Sequence, residues 1–151
     1  MPKINEATDT DLKIIDELKK YGWKPGDTLL YQQEYALTPE QQRIFEGRKS
    51  IKPDITLTDL HGDVLAIFEN KFEDEKKALT KLRALYAPVL NSRFLYACSP
   101  ERILFYDTEW KGLESGEFRQ VNSLGILSQM VQNLYNARHV PSQTNTVRSA
   151  N

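Results

Sequence analysis

Asp54, Glu69 and Lys71 are the side chains in this chain whose types and spacing could do chemistry together. They lie in Lys52–Glu73, where two runs of strand formers, IleThrLeu and ValLeuAlaIlePhe, flank a tight HisGlyAsp turn. Asp54 stands where the first run begins, and Glu69 and Lys71 stand where the second ends. An antiparallel hairpin would lay those ends side by side and bring two carboxylates and a lysine to one place. Oxygen ligands of that kind suit a hard divalent cation such as Mg2+, which binds one or two carboxylates together with waters and phosphate oxygens. Such an ion activates water and stabilises charge at phosphorus. Lys71, two residues beyond Glu69 on the same strand face, could orient the attacking water, neutralise phosphate or, with a lowered pKa, help deprotonate the water.

The short motif alone carries little information. Glu-x-Lys occurs at Glu17/Lys19, Glu69/Lys71, Glu75/Lys77 and Glu109/Lys111. Two of these pairs fall on predicted helices, where residues i and i+2 do not face each other. Only Glu69/Lys71 ends an apolar strand with a partner acid one hairpin away. The competing reading is a strand-end ion pair, Glu69 with Lys71 or Asp54 with Lys52, of the weak surface type. Other chemistries lack parts. His61 lies in the turn and His139 in a polar tail, and no Gly-rich phosphate loop is present. Cys98, the only cysteine, excludes an internal disulfide, fits a reducing cytoplasm and reads as a buried inert thiol.

The elements that would position the site follow from periodicity. With 151 residues, 40% hydrophobic and 27% charged, the chain can build one core. Its net charge of -1 assigns any nucleic-acid contact to a local patch. The N-terminus is too polar for a signal peptide, and no apolar run approaches the roughly 18 residues that span a bilayer, so no membrane partner is expected. Residues 9–21 read as a helix with Leu12, Ile15 and Leu18 in its apolar stripe and Ile14 at the edge, ended by Gly22 with Trp23 packed behind. Residues 28–37 read as a strand, and Thr38-Pro39-Glu40-Gln41 as a capping box opening a short helix. Arg48, Lys49 and Lys52 form a basic approach to the hairpin strands, about 54–60 and 63–72. The second strand should place Leu65, Ile67, Glu69 and Lys71 on one face and Val64, Ala66 and Phe68 on the other. A helix over 74–87 buries Leu79, Leu82, Leu85 and Tyr86, with Lys77, Lys81 and Arg83 on its solvated side. Strands at 93–98 and 102–107 flank a SerProGlu turn, a polar loop with Gly112 and Gly116 follows, and a last helix spans about 123–136 from a Ser123 cap. The fold class is α/β, a mixed sheet with helices on its faces.

Pro53-Asp54, fourteen residues and then Glu69-Asn70-Lys71 resemble the PD-(D/E)xK nuclease superfamily. Taken with AspThrAspLeuLysIleIleAsp and GlyTrp (9–23), GluTyrAlaLeu (34–37), GlyArgLysSerIleLysProAspIleThrLeu (47–57) and PheLeuTyrAlaCys (94–98), the chain is similar to the N-terminal endonuclease domain of type I restriction enzyme R (HsdR) subunits. The resemblance covers about residues 6–136. It implies a restriction-endonuclease-like sandwich over residues 1–137, with 138–151 a flexible tail or linker towards motor domains. It also implies Mg2+-dependent cleavage of unmethylated double-stranded DNA, with Mn2+ able to substitute and ATP used only by the motor domains. Modification and specificity subunits would be the partners. By motif match, Asp54 and Glu69 are metal ligands, Lys71 is the catalytic lysine and Glu6 a supplementary acid; Arg48, Lys49, Lys52, Lys81 and Tyr86 are candidate DNA contacts. One departure stands out. Relatives often carry Gln-x-x-x-Tyr on the helix after the lysine strand; Tyr86 fits the tyrosine, but Leu82 stands at the glutamine. Lys81 or Arg83 could replace it, although neither points from the same position. A catalytically inert domain of the same sandwich, docking partner subunits or DNA, and a stand-alone nuclease remain as alternatives.

Overall fold

The computed structural model describes residues 9–70, 74–109, 118–122 and 124. Helix α1 (Asp9–Lys20) has acids in its first turn and lysines in its last, as the helix dipole favours. Trp23 N–H reaches back to the Leu18 carbonyl and Gly22 N–H to that of Lys19, with Gly22 at φ 96°. This paired closure needs a left-handed residue, which glycine supplies without strain. The residues facing inward are Asp11, Ile14, Ile15 and Leu18, whereas Leu12 is 39% exposed. The buried stripe is therefore 11-14-15-18 and not one built on Leu12, and it has a carboxylate at its head.

The expected single strand over 28–37 is two short ones, β1 (Leu29–Tyr31) and β2 (Tyr35–Ala36), separated where Gln32 takes φ 49°. Helix α2 (Pro39–Ile44) carries the full capping box between Thr38 and Gln41. Strand β3 (Ser50–Ile51) pairs with β2 as a small separate sheet. The central hairpin is β4 (Ile55–Thr58) and β5 (Val64–Asn70), antiparallel, with Asp59 accepting from the His61 and Asp63 amides to close its turn. Strands β6 (Phe94–Cys98), β7 (Ile103–Asp107) and β8 (Arg119–Val121) extend the sheet to the order β1-β4-β5-β6-β7-β8. Among the described strands of this sheet, only β5 and β6 run parallel. Strand β8 falls in what the sequence reads as loop; as a three-residue edge strand it is too short to show alternation.

The register places Leu57 opposite Ala66 and Thr58 opposite Val64, so Leu65 is an extra residue, a bulge. Leu65 and Ala66 consequently pack on the same side, with Ile55 and Leu57, while Val64 joins Ile67 on the other. The expected alternation thus holds from Ala66 to Asn70 and is reversed at Val64 and Leu65. One apolar layer packs α1 and Trp23 against Phe68, Phe94, Tyr96 and Phe105, with the Phe68 and Tyr96 rings stacked 4.3 Å apart. Cys98 is buried there, its thiol pushed up by that burial. The other layer packs Ile67, Leu95, Ala97 and Leu104 against Leu82 and Tyr86. The architecture is mixed α/β, a central mixed sheet with helices over both faces, and among the described residues no helix is long and apolar enough to cross a membrane.

The helix expected at 74–87 is longer and irregular. It opens as α3 (Glu75–Lys81) on an Asp74 cap, widens into a π-turn over Leu82–Tyr86, and finishes as α4 (Ala87–Leu90). In the π-turn, Ala87 N–H donates to the Leu82 carbonyl five residues back. Pro88 supplies the reason. Its ring clashes with the carbonyl four residues earlier and it has no N–H to give, so a regular helix cannot pass and one extra residue is accommodated.

Candidate carboxylate site

Hairpin pairing brings Asp54 and Glu69 together as the sequence predicts. Asn70 N–H donates to Asp54 Oδ2 at 2.7 Å, while the Asp54 carbonyl accepts from Gln32 N–H at 2.8 Å, so the residue is held from both neighbouring strands. The Asp54 and Glu69 carboxyls are within hydrogen-bonding reach of each other. Burial first and the Glu69 charge second push Asp54 up to about 7, against the pull of the Asn70 amide and with a further push from Asp11. Asp54 is therefore far more readily protonated than a free carboxylate.

Glu69 points to the α3 side, in line with Ile67, and there it meets Lys81, whose Nζ lies 3.0 Å from Glu69 Oε2. Burial lowers the Lys81 pKa, but the hydrogen bonds it donates to Tyr86 and Glu69 and the Glu69 charge outweigh it, so the net shift is upward and the amine stays an ammonium. The Nζ sits 5.1 Å above the Tyr86 ring. The π-turn makes this possible. In a regular α-helix, residues five apart are separated by about 140° around the axis, whereas an i to i+5 turn brings them onto one side. The extra residue therefore puts Lys81 where a plain helix would present Leu82. Leu82 is fully buried in the core, and Arg83 lies over the Tyr106 ring, away from the carboxylates. Lys81, not Arg83, is the basic side chain of this helix that reaches Glu69.

Asn70 points the opposite way. Its Nδ2 donates to Asp11 Oδ1 at 2.8 Å, and Tyr31 Oη donates to Asp11 Oδ2 at 3.3 Å. Asp11 and Asn70 are 5% and 4% exposed. Sequence reading passed over Asp11, although an acid at the head of an otherwise apolar helical stripe was the available signal. The Asn70 Oδ1 is buried without a hydrogen-bond partner.

Lys71 and Glu6 lie outside the described residues, as do Glu73, the glycine loop, the helix expected at 123–136 (Leu124 apart) and the tail from 138. Arg48, Lys49 and Lys52 are exposed, and Lys49 Nζ is hydrogen-bonded to Gln42 Oε1. Arg48 lines a groove of about 840 Å³ with Lys76, Lys77 and Lys81, between α2 and α3. Tyr86, expected at DNA, is 3% exposed and belongs to the support of Lys81 and the core. The ion pair expected between Glu69 and Lys71 lies outside the described residues; among those described, Glu69 pairs with Lys81.

In kind the donors suit a hard divalent cation: two adjoining carboxylates that repel when both are charged. In number they are sparse, since no group of three or more His, Cys, Asp or Glu among the described residues is arranged to hold a metal. No family model, curated protein or solved structure matches the chain.

Proposed function

We propose that this chain is a Mg2+-dependent DNA endonuclease domain with a PD-(D/E)xK sandwich, of the kind found at the start of type I restriction R subunits. The observation that carries the reading is the juxtaposition of Asp54 and Glu69 at one end of β4 and β5. Two acids held in reach of each other, one pushed up to about 7, cost stability when ionised, and a divalent cation is the group that removes the cost. When bound, that cation supplies Lewis acidity and charge neutralisation at phosphorus. The chain's own residues do the rest: Asp54 and Glu69 offer ligand oxygens, the Asn70 amide fixes Asp54, and Lys81 sets Glu69. Lys71 follows Glu69 at the spacing of the motif. Double-stranded DNA, the motor domains with their ATP, and the modification and specificity subunits enter through the resemblance in the motifs.

In the full multisubunit enzyme, Asp54→Ala or Glu69→Ala should abolish cleavage and leave DNA-stimulated ATP hydrolysis intact. Loss of both activities together refutes a catalytic role confined to this site. A second reading, an inert docking domain, is favoured by one observation: Glu69 already has a neutralising partner in Lys81. Titration with millimolar Mg2+ or Mn2+ separates the two, because an inert domain shows no thermal shift that Asp54→Asn removes.

A further inference from the structure

Lys81, whose ammonium pairs with Glu69, also lines the groove between α2 and α3. It is brought there by a helix irregularity and steadied by the Tyr86 ring. A lysine on an exposed helix face is ordinarily free to sample solvent. This one has about two-fifths of its side chain exposed, yet it is turned onto a carboxylate that is 14% exposed.

We propose that Lys81 is a positioning residue that acts as the site's internal counter-ion, neutralising Glu69 in the empty site and setting the affinity with which a divalent cation can enter. The proposal rests on the metal-site reading. Its physical basis is charge: an ammonium and a divalent cation sharing one carboxylate stand about 5 Å apart, and their repulsion even at the dielectric of water weakens cation binding by about tenfold. The π-turn is then the device that fixes this setting, since Lys81 would leave Glu69 if the helix ran straight.

The test is Mn2+ binding to the whole chain, followed by calorimetry and by the paramagnetic signal of free ion, for wild type, Lys81→Met, Lys81→Arg and Asp54→Asn. Lys81→Met should bind Mn2+ about tenfold more tightly than wild type, and Lys81→Arg, which keeps the charge, within about twofold of it. Asp54→Asn should lose binding. Equal or weaker binding by a folded Lys81→Met overturns the counter-ion role while leaving the metal site standing. Should Lys81→Met not fold, tightening in Lys81→Gln decides in its place. Mn2+ binding absent from wild type and all variants, or undiminished in Asp54→Asn, overturns the metal reading and this inference with it.

Discussion

Glu69 and Asn70 are neighbours on one strand, yet they lead into two regions built on opposite plans. On the α3 side, Glu69 meets Lys81 and Tyr86 in a half-open setting, where an ion pair and a cation–ring contact hold a partly exposed lysine. On the α1 side, Asn70 meets Asp11 and, through it, Tyr31, in a closed network of hydrogen bonds. Ion pairs near solvent exchange partners at little cost, whereas a buried hydrogen-bonded acid deprived of its partners is expensive. The α1 side therefore fixes where Asp54 stands, and the α3 side decides what Glu69 binds. Asp54 is the hinge between them, held by the Asn70 amide and facing the Glu69 carboxyl.

The largest effect should come at that hinge. Asp54→Ala removes one of the two ligand carboxyls, and cation binding and cleavage should both fall below detection. The folded state should survive, and in chelator at pH 8 Asp54→Asn should melt above wild type, because it removes the repulsion that raises the Asp54 pKa. A lower melting temperature there would show that the pair is a structural brace and not a strained site.

Next in size is the closed side. Asp11→Ala strands the buried Asn70 amide and removes the acceptor of the half-buried Tyr31 hydroxyl, and should cost about 2–3 kcal/mol in chemical denaturation. Because Asn70 positions Asp54, cation affinity should also drop, by about tenfold or more, as for other outer partners of metal ligands. A stability loss with unchanged affinity would uncouple the two regions.

The pH dependence has a definite sign. Asp54 titrates near 3.8 when unfolded and about 7 when folded, so between those values the native state binds more protons. Its contribution to stability is complete below about pH 4 and is lost as pH rises through 7. In chelator the midpoint denaturant concentration should fall across that window, and saturating Mg2+ should flatten the fall by favouring the ionised pair. A rise with pH would reverse the assignment of the proton to Asp54.

These expectations also mark what could be read without coordinates. The hairpin and the meeting of Asp54 with Glu69 follow from alternation and a tight turn, which are local, and both hold. The capping box, the Gly22 stop and the buried Trp23 are local too. What failed was long-range or depended on one residue's insertion. The bulge at Leu65 reversed the start of β5, because nothing within the strand marks an extra residue. Asp11 was lost by centring the α1 stripe on Leu12, one step out of phase. Lys81 was misplaced by assuming a straight helix, although Pro88, six residues after Leu82, was the visible warning that the preceding turn must widen. Lys71 and Glu6, the other residues named from the motif, lie outside the described residues.

The smallest effect should be at Tyr86, and it tests how the open side works. Tyr86→Phe keeps the ring that packs with Leu82 and Ile67 and that lies under the Lys81 ammonium, and deletes only the hydroxyl. The hydroxyl is a phenol whose pKa burial raises, with Glu69 and Asp54 adding to the rise and Lys81 opposing it. Near neutrality it stays protonated and contributes a hydrogen bond, not a charge. Losing such a bond to a half-exposed lysine should cost at most about 1 kcal/mol, and the remaining cation–ring contact is of similar size. Thermal stability should therefore shift little, and Mn2+ affinity should change by less than about threefold, against the tenfold expected for Lys81→Met. If Tyr86→Phe instead tightened Mn2+ binding as much as Lys81→Met, the hydroxyl rather than the π-turn and ring would be what keeps Lys81 on Glu69. The contrast between an exchangeable side and a fixed side would then need a second fixed hydrogen bond on the open face.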